Sequence, residues 1–149
     1  MEKTPMMVDQ RIVARGRYYA GQAGSIFYRA LRDRGALLAS RCKRCARVLW
    51  PPRTTCGRCF SQLTEADMVP VGPGGILETF TRVAYAEPMH PRPAPFYYGI
   101  VKLDGADTGM AHMIDVPDGT EPAIGMRVKA VFKSERKGDI LDIRHFIPE

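Results

Sequence analysis

The sequence predicts a mainly β protein in which one N-terminal helix and a metal-binding ribbon precede a barrel of five short strands. Three observations lead to this fold class. Two Cys-x2-Cys pairs lie ten residues apart, a Gly-Pro-Gly-Gly run interrupts the chain at residues 72–75, and five strand-like segments follow that run. Five strands separated by turn signals favour a closed or partly closed antiparallel barrel. We therefore divide the chain into an N-terminal arm and helix at 1–35, the ribbon at 36–71 and the barrel domain at 72–149.

The helix is predicted over residues 25–34. Ser25 can cap its first turn, and Gly35 lies where a left-handed C-terminal cap is expected. Phe27 and Leu31 share one apolar face of this segment. A short strand at 36–40 then leads into the first cysteine pair.

The barrel strands follow the Gly-Pro-Gly-Gly run, which we interpret as a hinge. In the last of them Asp142 is expected to point away from the apolar face. A stiff, proline-rich loop is predicted at 87–95, because proline interrupts strand pairing. The five strands are predicted at 76–85, 96–103, 109–116, 127–133 and 140–147.

Length and composition are those of a soluble globular protein. The 149 residues can form one domain, or two small modules sharing a core, and 45% of them are apolar and 26% charged. No segment has the roughly 20 consecutive apolar residues that a membrane-spanning helix needs. The first ten residues lack the apolar core of a signal peptide. We expect a cytoplasmic protein without a membrane association. The reducing conditions of that compartment argue against the use of the four cysteines in two disulfides.

Positive charge is concentrated in the first half of the chain. The net charge is +6, and residues 11–58 contain twelve Lys or Arg residues against one acid, Asp33. Residues 59–149 carry nine basic and thirteen acidic residues. Such a concentrated positive field attracts phosphate-bearing partners, either nucleic acid or a phosphorylated cofactor. A solvated basic surface without a ligand is the alternative.

The four cysteines predict one metal site made of Cys42, Cys45, Cys56 and Cys59. Each Cys-x2-Cys turn directs two sulfur atoms to one point, and two such turns, or knuckles, supply tetrahedral coordination. The site suits Zn²⁺, or iron as in rubredoxin, and zinc is favoured because a structural role needs no redox chemistry. Four protein ligands leave no position for water or substrate, so this metal should stabilise the fold rather than catalyse.

Few other residues suggest chemistry. His112 and His145 lie in strand patterns and are expected to be packed, whereas His90, in the proline-rich loop, is a better candidate for ligand contact. The glycines at 72–75 lack the spacing of a phosphate-binding loop. No serine-centred elbow, metalloprotease helix or kinase motif is present. The sequence therefore predicts a binding or scaffolding subunit without an active site of its own.

The order of these features resembles a known family, the zinc-ribbon/OB-fold proteins associated with acyl-CoA metabolism. The resemblance extends from about residue 24 over nearly all of the remaining chain. It rests on FYRAL at 27–31, LLASRC at 37–42, WPPR at 50–53, CGRC at 56–59, GILETFT at 75–81 and IGMRV at 124–128. The ribbon spacing alone is not specific to that family, but the ribbon followed by the Gly-Met-x-Val segment is much more so.

The resemblance implies a rubredoxin-like zinc ribbon, a five-stranded OB-fold barrel and a catalytic partner. Members assemble with thiolase-fold enzymes, including thiolases, hydroxymethylglutaryl-CoA synthase and lipid-transfer-protein-like aldolases. The large subunit carries the catalytic cysteine, and the small subunit shapes the path for the CoA-linked substrate. Stand-alone members of this size occur beside thiolases that cleave unusual β-oxoacyl-CoAs, benzoylsuccinyl-CoA among them.

The leading hypothesis is a non-catalytic accessory subunit of a thiolase-type hetero-oligomer that helps to bind or channel an acyl-CoA. Arginine can bind the phosphates of CoA bidentately. The alternative is a nucleic-acid-binding module, which the acidic barrel half disfavours; a free-standing CoA-binding enzyme lacks an identifiable nucleophile. The candidate CoA- or partner-binding residues are Arg41, Arg44, Arg47, Arg53 and Arg58 in the ribbon and His90, Arg92 and Phe96 near the proline-rich loop.

Overall fold

The computed structural model describes residues 16–149, and its first element is the helix α1, Gly21–Arg34. The helix begins four residues earlier than predicted, after Ala20, and within the described residues no side-chain hydrogen bond caps its N-terminus. The prediction that Ser25 caps the helix is therefore wrong. Gly35 does form the left-handed cap, with φ 62°, and its N–H donates to the Leu31 carbonyl. Within residues 16–149, no helix combines the length and apolar character needed to cross a membrane.

The ribbon contains a small antiparallel sheet of three strands in the order β2-β1-β3. These are β1, Leu38–Arg41, β2, Val48–Leu49, and β3, Met68–Pro70. The strand predicted before the first cysteine pair corresponds to β1, shifted by one or two residues. The sequence analysis did not identify β3, which is only three residues long.

Five further strands close into a barrel in the order β4-β5-β6-β8-β7, and β7 pairs with β4. The pairs are antiparallel except β6 with β8, which is parallel. This confirms the predicted mainly β fold with a five-stranded OB barrel. The strands are β4, Gly74–Val83; β5, Phe96–Leu103; β6, Gly109–Ile114; β7, Arg127–Phe132; and β8, Ile143–Pro148.

Two of the presumed hinge glycines are part of the barrel. Gly74 and Gly75 begin β4, and Gly75 pairs with both Leu103 and Val128. A Cβ at Gly75 would lie 2.5 Å from the Lys102 carbonyl oxygen. Gly75 is thus required by the close approach of two strands rather than by chain flexibility.

The start of the last predicted strand is a short 3-10 helix, Ile140–Asp142. This turn directs Asp142 inward, so that its side chain is buried instead of exposed as expected. Its carboxylate accepts hydrogen bonds from the backbone N–H groups of residues 137–139, at 2.6–3.2 Å. Burial alone would raise the pKa of Asp142, but these donors lower it below its ordinary value.

The ribbon and the barrel share one apolar core around Trp50, which is fully buried. The turn between β5 and β6 holds β2 through hydrogen bonds. The Val48 N–H donates to Asp107 Oδ2 and the Trp50 N–H to Thr108 Oγ1, each at 2.8 Å. We therefore expect the ribbon and barrel to unfold together, although the boundaries at residues 35 and 71 stay a prediction.

The connection between β7 and β8 also holds the helix. Arg136 Nε donates to the Arg32 carbonyl oxygen at 2.9 Å, at the C-terminal end of α1. A cation at this end interacts favourably with the helix dipole. The helix, the ribbon and the barrel are thus joined by direct contacts on several sides.

Candidate metal centre and adjoining surfaces

The four cysteine side chains converge as predicted. Their sulfur atoms all lie within 4.8 Å of one another, and Cys42 and Cys56 are buried. Two sulfur pairs, Cys42 with Cys59 and Cys45 with Cys56, are 3.5 Å apart. Tetrahedral zinc with bonds of about 2.3 Å places its sulfur ligands roughly 3.8 Å apart, so the arrangement fits this ion.

The two knuckles have the same backbone structure. In the first, the Cys42 N–H donates to the Arg47 carbonyl and the Ala46 N–H to the Cys42 carbonyl, both at 2.8 Å. Cys56, Phe60 and Ser61 repeat this pattern in the second knuckle at 3.0 Å. Each knuckle turns at a left-handed residue just after its second cysteine, at Ala46 with φ 60° and at Phe60 with φ 57°.

Hydrogen-bond donors surround the sulfur atoms. The Ser61 hydroxyl lies 3.1 Å from Cys42 Sγ and 3.2 Å from Cys59 Sγ. It is the main cause that lowers the pKa of Cys42 to about 6, and backbone N–H groups of the first knuckle add to this effect. The pKa of Cys59 is lowered as well, again mainly by Ser61. Metal binding requires thiolates, which these donors stabilise at Cys42 and Cys59. At Cys45 the Arg47 N–H lowers the pKa, but burial and the neighbouring cysteines raise it to about 11.

The chemistry of this donor set is structural. All four cysteines of the chain belong to it, and four thiolates in a closed arrangement leave no coordination position for a substrate. The residues fit a zinc ion that stabilises the ribbon, because a module with so small a core of its own gains folding free energy from the metal.

The predicted arginines lie around this centre on the ribbon. Arg41, Arg44, Arg53 and Arg58 are exposed, and Arg47 is half-buried. They therefore form a basic surface on the ribbon; whether they bind CoA or a partner stays a prediction.

The backbone of Arg53 is held by a buried serine hydroxyl. The buried Ser40 hydroxyl accepts the Arg53 N–H at 2.8 Å and donates to the Arg53 carbonyl at 2.9 Å. The Arg53 guanidinium lies beside Gly57 in the second knuckle, where a Cβ would stand 3.8 Å from Nη1. Ser40 thus fixes the backbone of Arg53, and the exposed side chain lies next to the second knuckle.

A groove of about 550 Å³ runs beside Arg53. Its walls are the first turns of α1, the ribbon turn at residues 51–55 and two barrel side chains, Met110 and Ile140. Phe27 and Tyr28 contribute aromatic surface. The groove is therefore lined mainly by apolar and aromatic side chains, together with the basic residue Arg53.

The other three predicted residues lie near the loop between β4 and β5. The His90 ring lies between Tyr85 and Phe96, with ring centroids 5.3 and 5.4 Å away. Its Nδ1 is buried without a hydrogen-bond partner within residues 16–149. Phe96 is buried, and Arg92 forms an ion pair with Asp115 at 3.2 Å. The structure thus separates the predicted residues into a ribbon group and a loop group.

Phe60 is a candidate that the sequence analysis missed. Its side chain is 77% exposed at the second knuckle. A bulky residue in the left-handed region is unusual, and such strain is often kept for function. The spacing of the cysteines could have identified Phe60, because the residue just after the second cysteine of each knuckle adopts the left-handed conformation.

The remaining histidines lie within the barrel. His112 is buried, its Nε2 lies 2.6 Å from the Ile143 carbonyl oxygen, and burial lowers its pKa. This is the packed histidine that the strand pattern predicted. His145 is half-buried, and its Nδ1 lies 3.4 Å from Asp115.

Comparison with protein families agrees with this two-part structure. Residues 29–65 match the family described as ChsH2, rubredoxin-like zinc ribbon domain, and residues 68–133 match the ChsH2 C-terminal OB-fold domain. The two matches together cover more than half of the chain. The chain belongs to this zinc-ribbon/OB-fold family. The ribbon match includes all four cysteines, which supports assigning them to a structural zinc site.

Several proteins resemble this member of the ChsH2-type family. A DUF35 domain-containing scaffold protein of Methanocaldococcus jannaschii is 28% identical over 106 residues, or 71% of this chain and 74% of the relative. A DUF35-family protein of unknown function from Sulfolobus solfataricus has a TM-score of 0.61 at 19% identity, over 74% of this chain and 78% of its own. A chain of the Ltp2-ChsH2(DUF35) aldolase has a TM-score of 0.60 at 23% identity, over 84% of this chain and 93% of its own. At these identities the two solved structures show the fold alone.

Proposed function

We propose that this protein is a non-catalytic accessory subunit of a thiolase-type enzyme that cleaves or forms β-oxoacyl-CoAs. In that complex it helps to bind or channel the CoA-linked substrate and stabilises the catalytic subunit. The names of two relatives support this role, since one is a scaffold protein and the other belongs to an aldolase with two named components.

The observation that carries the proposal is the use of every cysteine in the metal centre. Nucleophilic acyl transfer of the thiolase type needs a free, activated cysteine thiolate. All four cysteines of this chain converge on one closed site. A thiolase reaction would therefore need the cysteine of a second polypeptide.

The ribbon supplies the proposed contact for CoA. Arg53 lines the apolar groove, and Ser40 fixes its backbone through two hydrogen bonds. A guanidinium binds phosphate oxygens in a bidentate manner, and an apolar groove accepts the less polar arm of the same ligand. Arg44 and Arg58, exposed on the knuckles, extend the positive surface.

Phe60 supplies a proposed contact for the catalytic subunit. Interfaces are commonly anchored by an aromatic side chain surrounded by polar or charged residues. Phe60 is exposed and lies two residues from Arg58 on the same knuckle. Its burial in an apolar pocket of the partner would give a reason for keeping a strained backbone at this residue.

Co-purification tests the proposal directly. The tagged, zinc-loaded chain is isolated from its native host, and bound proteins are identified and quantified by mass spectrometry. We expect a thiolase-fold protein in stoichiometric amount. As a control, the Cys56→Ser variant should lose this protein, because the ribbon needs all four ligands. Isolation of the chain as a monomer, without such a protein, would contradict the proposal.

A further inference from the structure

A cleft in the barrel, separate from the metal centre, has the composition of an anion site. It has a volume of about 360 Å³ and lies between the β4–β5 loop and the β7–β8 connection, over β6 and β8. We call it the barrel cleft. Its polar and charged lining residues are Arg92, Asp115, Lys133, Arg144 and His145.

Positive charge predominates in the barrel cleft although the barrel half of the chain is net acidic. Arg92, Lys133 and Arg144 are permanent cations, and among the lining residues within 16–149 Asp115 is the one carboxylate. Asp115 is already engaged, by Arg92 at 3.2 Å and by His145 Nδ1 at 3.4 Å. A single carboxylate cannot neutralise three cations, so a net positive potential remains.

Lys133 and Arg144 have no ion-pair partner within the described part of the chain, residues 16–149. Both are exposed and come from different elements, Lys133 just after β7 and Arg144 in β8. The nearby Asp142 carboxylate is directed instead to the backbone N–H groups of residues 137–139. The two cations are therefore free to bind an external anion.

The protonation of His145 agrees with a positive environment. Burial lowers the pKa of His145, Asp115 opposes this effect, and Arg144 and Arg92 lower the pKa further. The imidazole is thus neutral near pH 7 and offers a hydrogen-bonding group beside the cations. The two oxygens of Asp115 lie beside Arg92 and His145, 3.2 Å from Arg92 Nη1 and 3.4 Å from His145 Nδ1.

The position of the barrel cleft is one that OB folds use for ligands. The two loops that border it are those between the first and second and between the fourth and fifth barrel strands. Ligands of OB folds commonly bind at these loops. Oligonucleotides, however, are held there by stacking on aromatic side chains. In the part of the chain that the structure describes, no Phe, Tyr or Trp lines this cleft, so its chemistry suits a compact anion better than a nucleobase.

We propose that the barrel cleft binds a phosphate group of a small molecule, as a diphosphate or a phosphate monoester. Arg92 and Arg144 bind its oxygens as planar donors, and Lys133 adds a point charge. The site is distinct from the arginines of the ribbon, and it requires no catalytic partner. It therefore stands or falls separately from the proposed function. Either a free polyphosphate or the phosphates of a CoA derivative could supply the same chemistry.

The test is a titration of the full, zinc-loaded chain with inorganic pyrophosphate, followed by two-dimensional ¹H–¹⁵N NMR. We expect saturable shift changes at the backbone N–H groups of Arg92, Lys133, Arg144 and His145. Lys133→Ala and Arg144→Ala should each weaken binding roughly tenfold, as expected for the loss of a charged hydrogen bond. Lys133→Arg keeps the charge and should retain binding within about threefold.

Two control variants locate the effect. Lys129→Ala removes another exposed lysine from β7, outside the cleft, and Arg44→Ala removes a cation from the ribbon. Both should bind pyrophosphate within about twofold of the wild type. Competition with CoA and 3′-dephospho-CoA then separates the sources. Stronger competition by CoA assigns the cleft to its 3′-phosphate, and equal competition assigns it to a diphosphate.

Several results would overturn the proposal. One is the absence of saturable shifts in the cleft; another is an equal loss of affinity in Lys129→Ala and Lys133→Ala. Shifts confined to the ribbon would place the anion on its arginines instead. Tighter binding of an oligothymidylate or a hexaglutamate peptide than of pyrophosphate in the cleft would show that the surface recognises a macromolecule.

Discussion

Replacing Thr108 by valine removes the hydroxyl that joins the barrel to the ribbon. This hydroxyl accepts the Trp50 N–H and donates to the Trp50 carbonyl oxygen, both at 2.8 Å. Valine has nearly the same shape but offers neither interaction, so two backbone groups lose their partner. Each unsatisfied buried group costs about 1–3 kcal/mol. Because Thr108 is half-buried and water can reach part of the site, we expect a loss of about 2–3 kcal/mol in the free energy of unfolding.

Urea unfolding of the zinc-loaded protein measures this loss. Trp50 is the only tryptophan in the chain and lies at the junction itself, so its fluorescence reports the event of interest. Thr81→Val is the matched control, since Thr81 is exposed on β4 and should change stability by less than about 0.5 kcal/mol. If Thr108→Val costs no more than Thr81→Val, the two hydrogen bonds do not hold the ribbon to the barrel.

Three further predictions concern the knuckles and the buried carboxylate. Ala46→Gly and Phe60→Gly should each stabilise the fold by about 1 kcal/mol, because glycine adopts the left-handed conformation without strain. Phe60→Gly alone should weaken binding of the catalytic subunit, measured by calorimetry; equal binding by both variants would exclude Phe60 as an anchor. Metal analysis should give one zinc per chain. Removal of the metal by a chelator, or the Cys56→Ser substitution, should abolish the native Trp fluorescence. An unchanged emission spectrum would show that the fold does not need the metal. Because the pKa of Asp142 is lowered in the folded state, its stabilisation is present above its unfolded pKa of about 4 and is lost as pH falls through the folded value. In thermal unfolding, Asp142→Asn should therefore be less stable than the wild type at pH 7 and should lose less stability between pH 5 and 2. Parallel pH profiles of stability for the two proteins would contradict a lowered pKa of Asp142.

The metal centre was predictable because its geometry is local. Two Cys-x2-Cys turns each determine where two sulfur atoms point, and only their meeting depends on the rest of the fold. The alternation of Val128 and Lys129 in β7 likewise follows from a period of two, one side facing the barrel interior and the other solvent. Such features need no knowledge of distant residues.

The features that the sequence did not reveal depend on contacts between distant segments. In the sequence, Asp142 follows an apolar residue, as an outward-facing residue of a strand would. Its burial is explained by the backbone N–H groups of residues 137–139, which donate hydrogen bonds to its carboxylate. Gly75 resembles a hinge residue until its distance from Lys102 is known. The basic cleft joins Arg92 to Arg144, which are 52 residues apart in the chain and meet through strand pairing. The charge count of the barrel half therefore gave the wrong impression of that surface.

The start of the helix illustrates a competition between local signals. Ser25 is a good capping residue, but Ala23 and Phe27 are both buried on one face, which extends the helix toward its N-terminus. Tertiary packing of an apolar face contributes more to helix stability than one cap. The end was predicted correctly because Gly35 adopts a conformation that few other residues tolerate.

Reconstitution of activity is the most direct measurement of the central claim that this chain is an accessory subunit. The thiolase-fold protein that co-purifies with the chain is prepared alone, and its turnover of a β-oxoacyl-CoA is measured before and after the zinc-loaded chain is added. An accessory role predicts little activity from the large subunit alone, none from this chain alone, and recovery at equimolar ratio. Full activity and stability of the large subunit without this chain would contradict it.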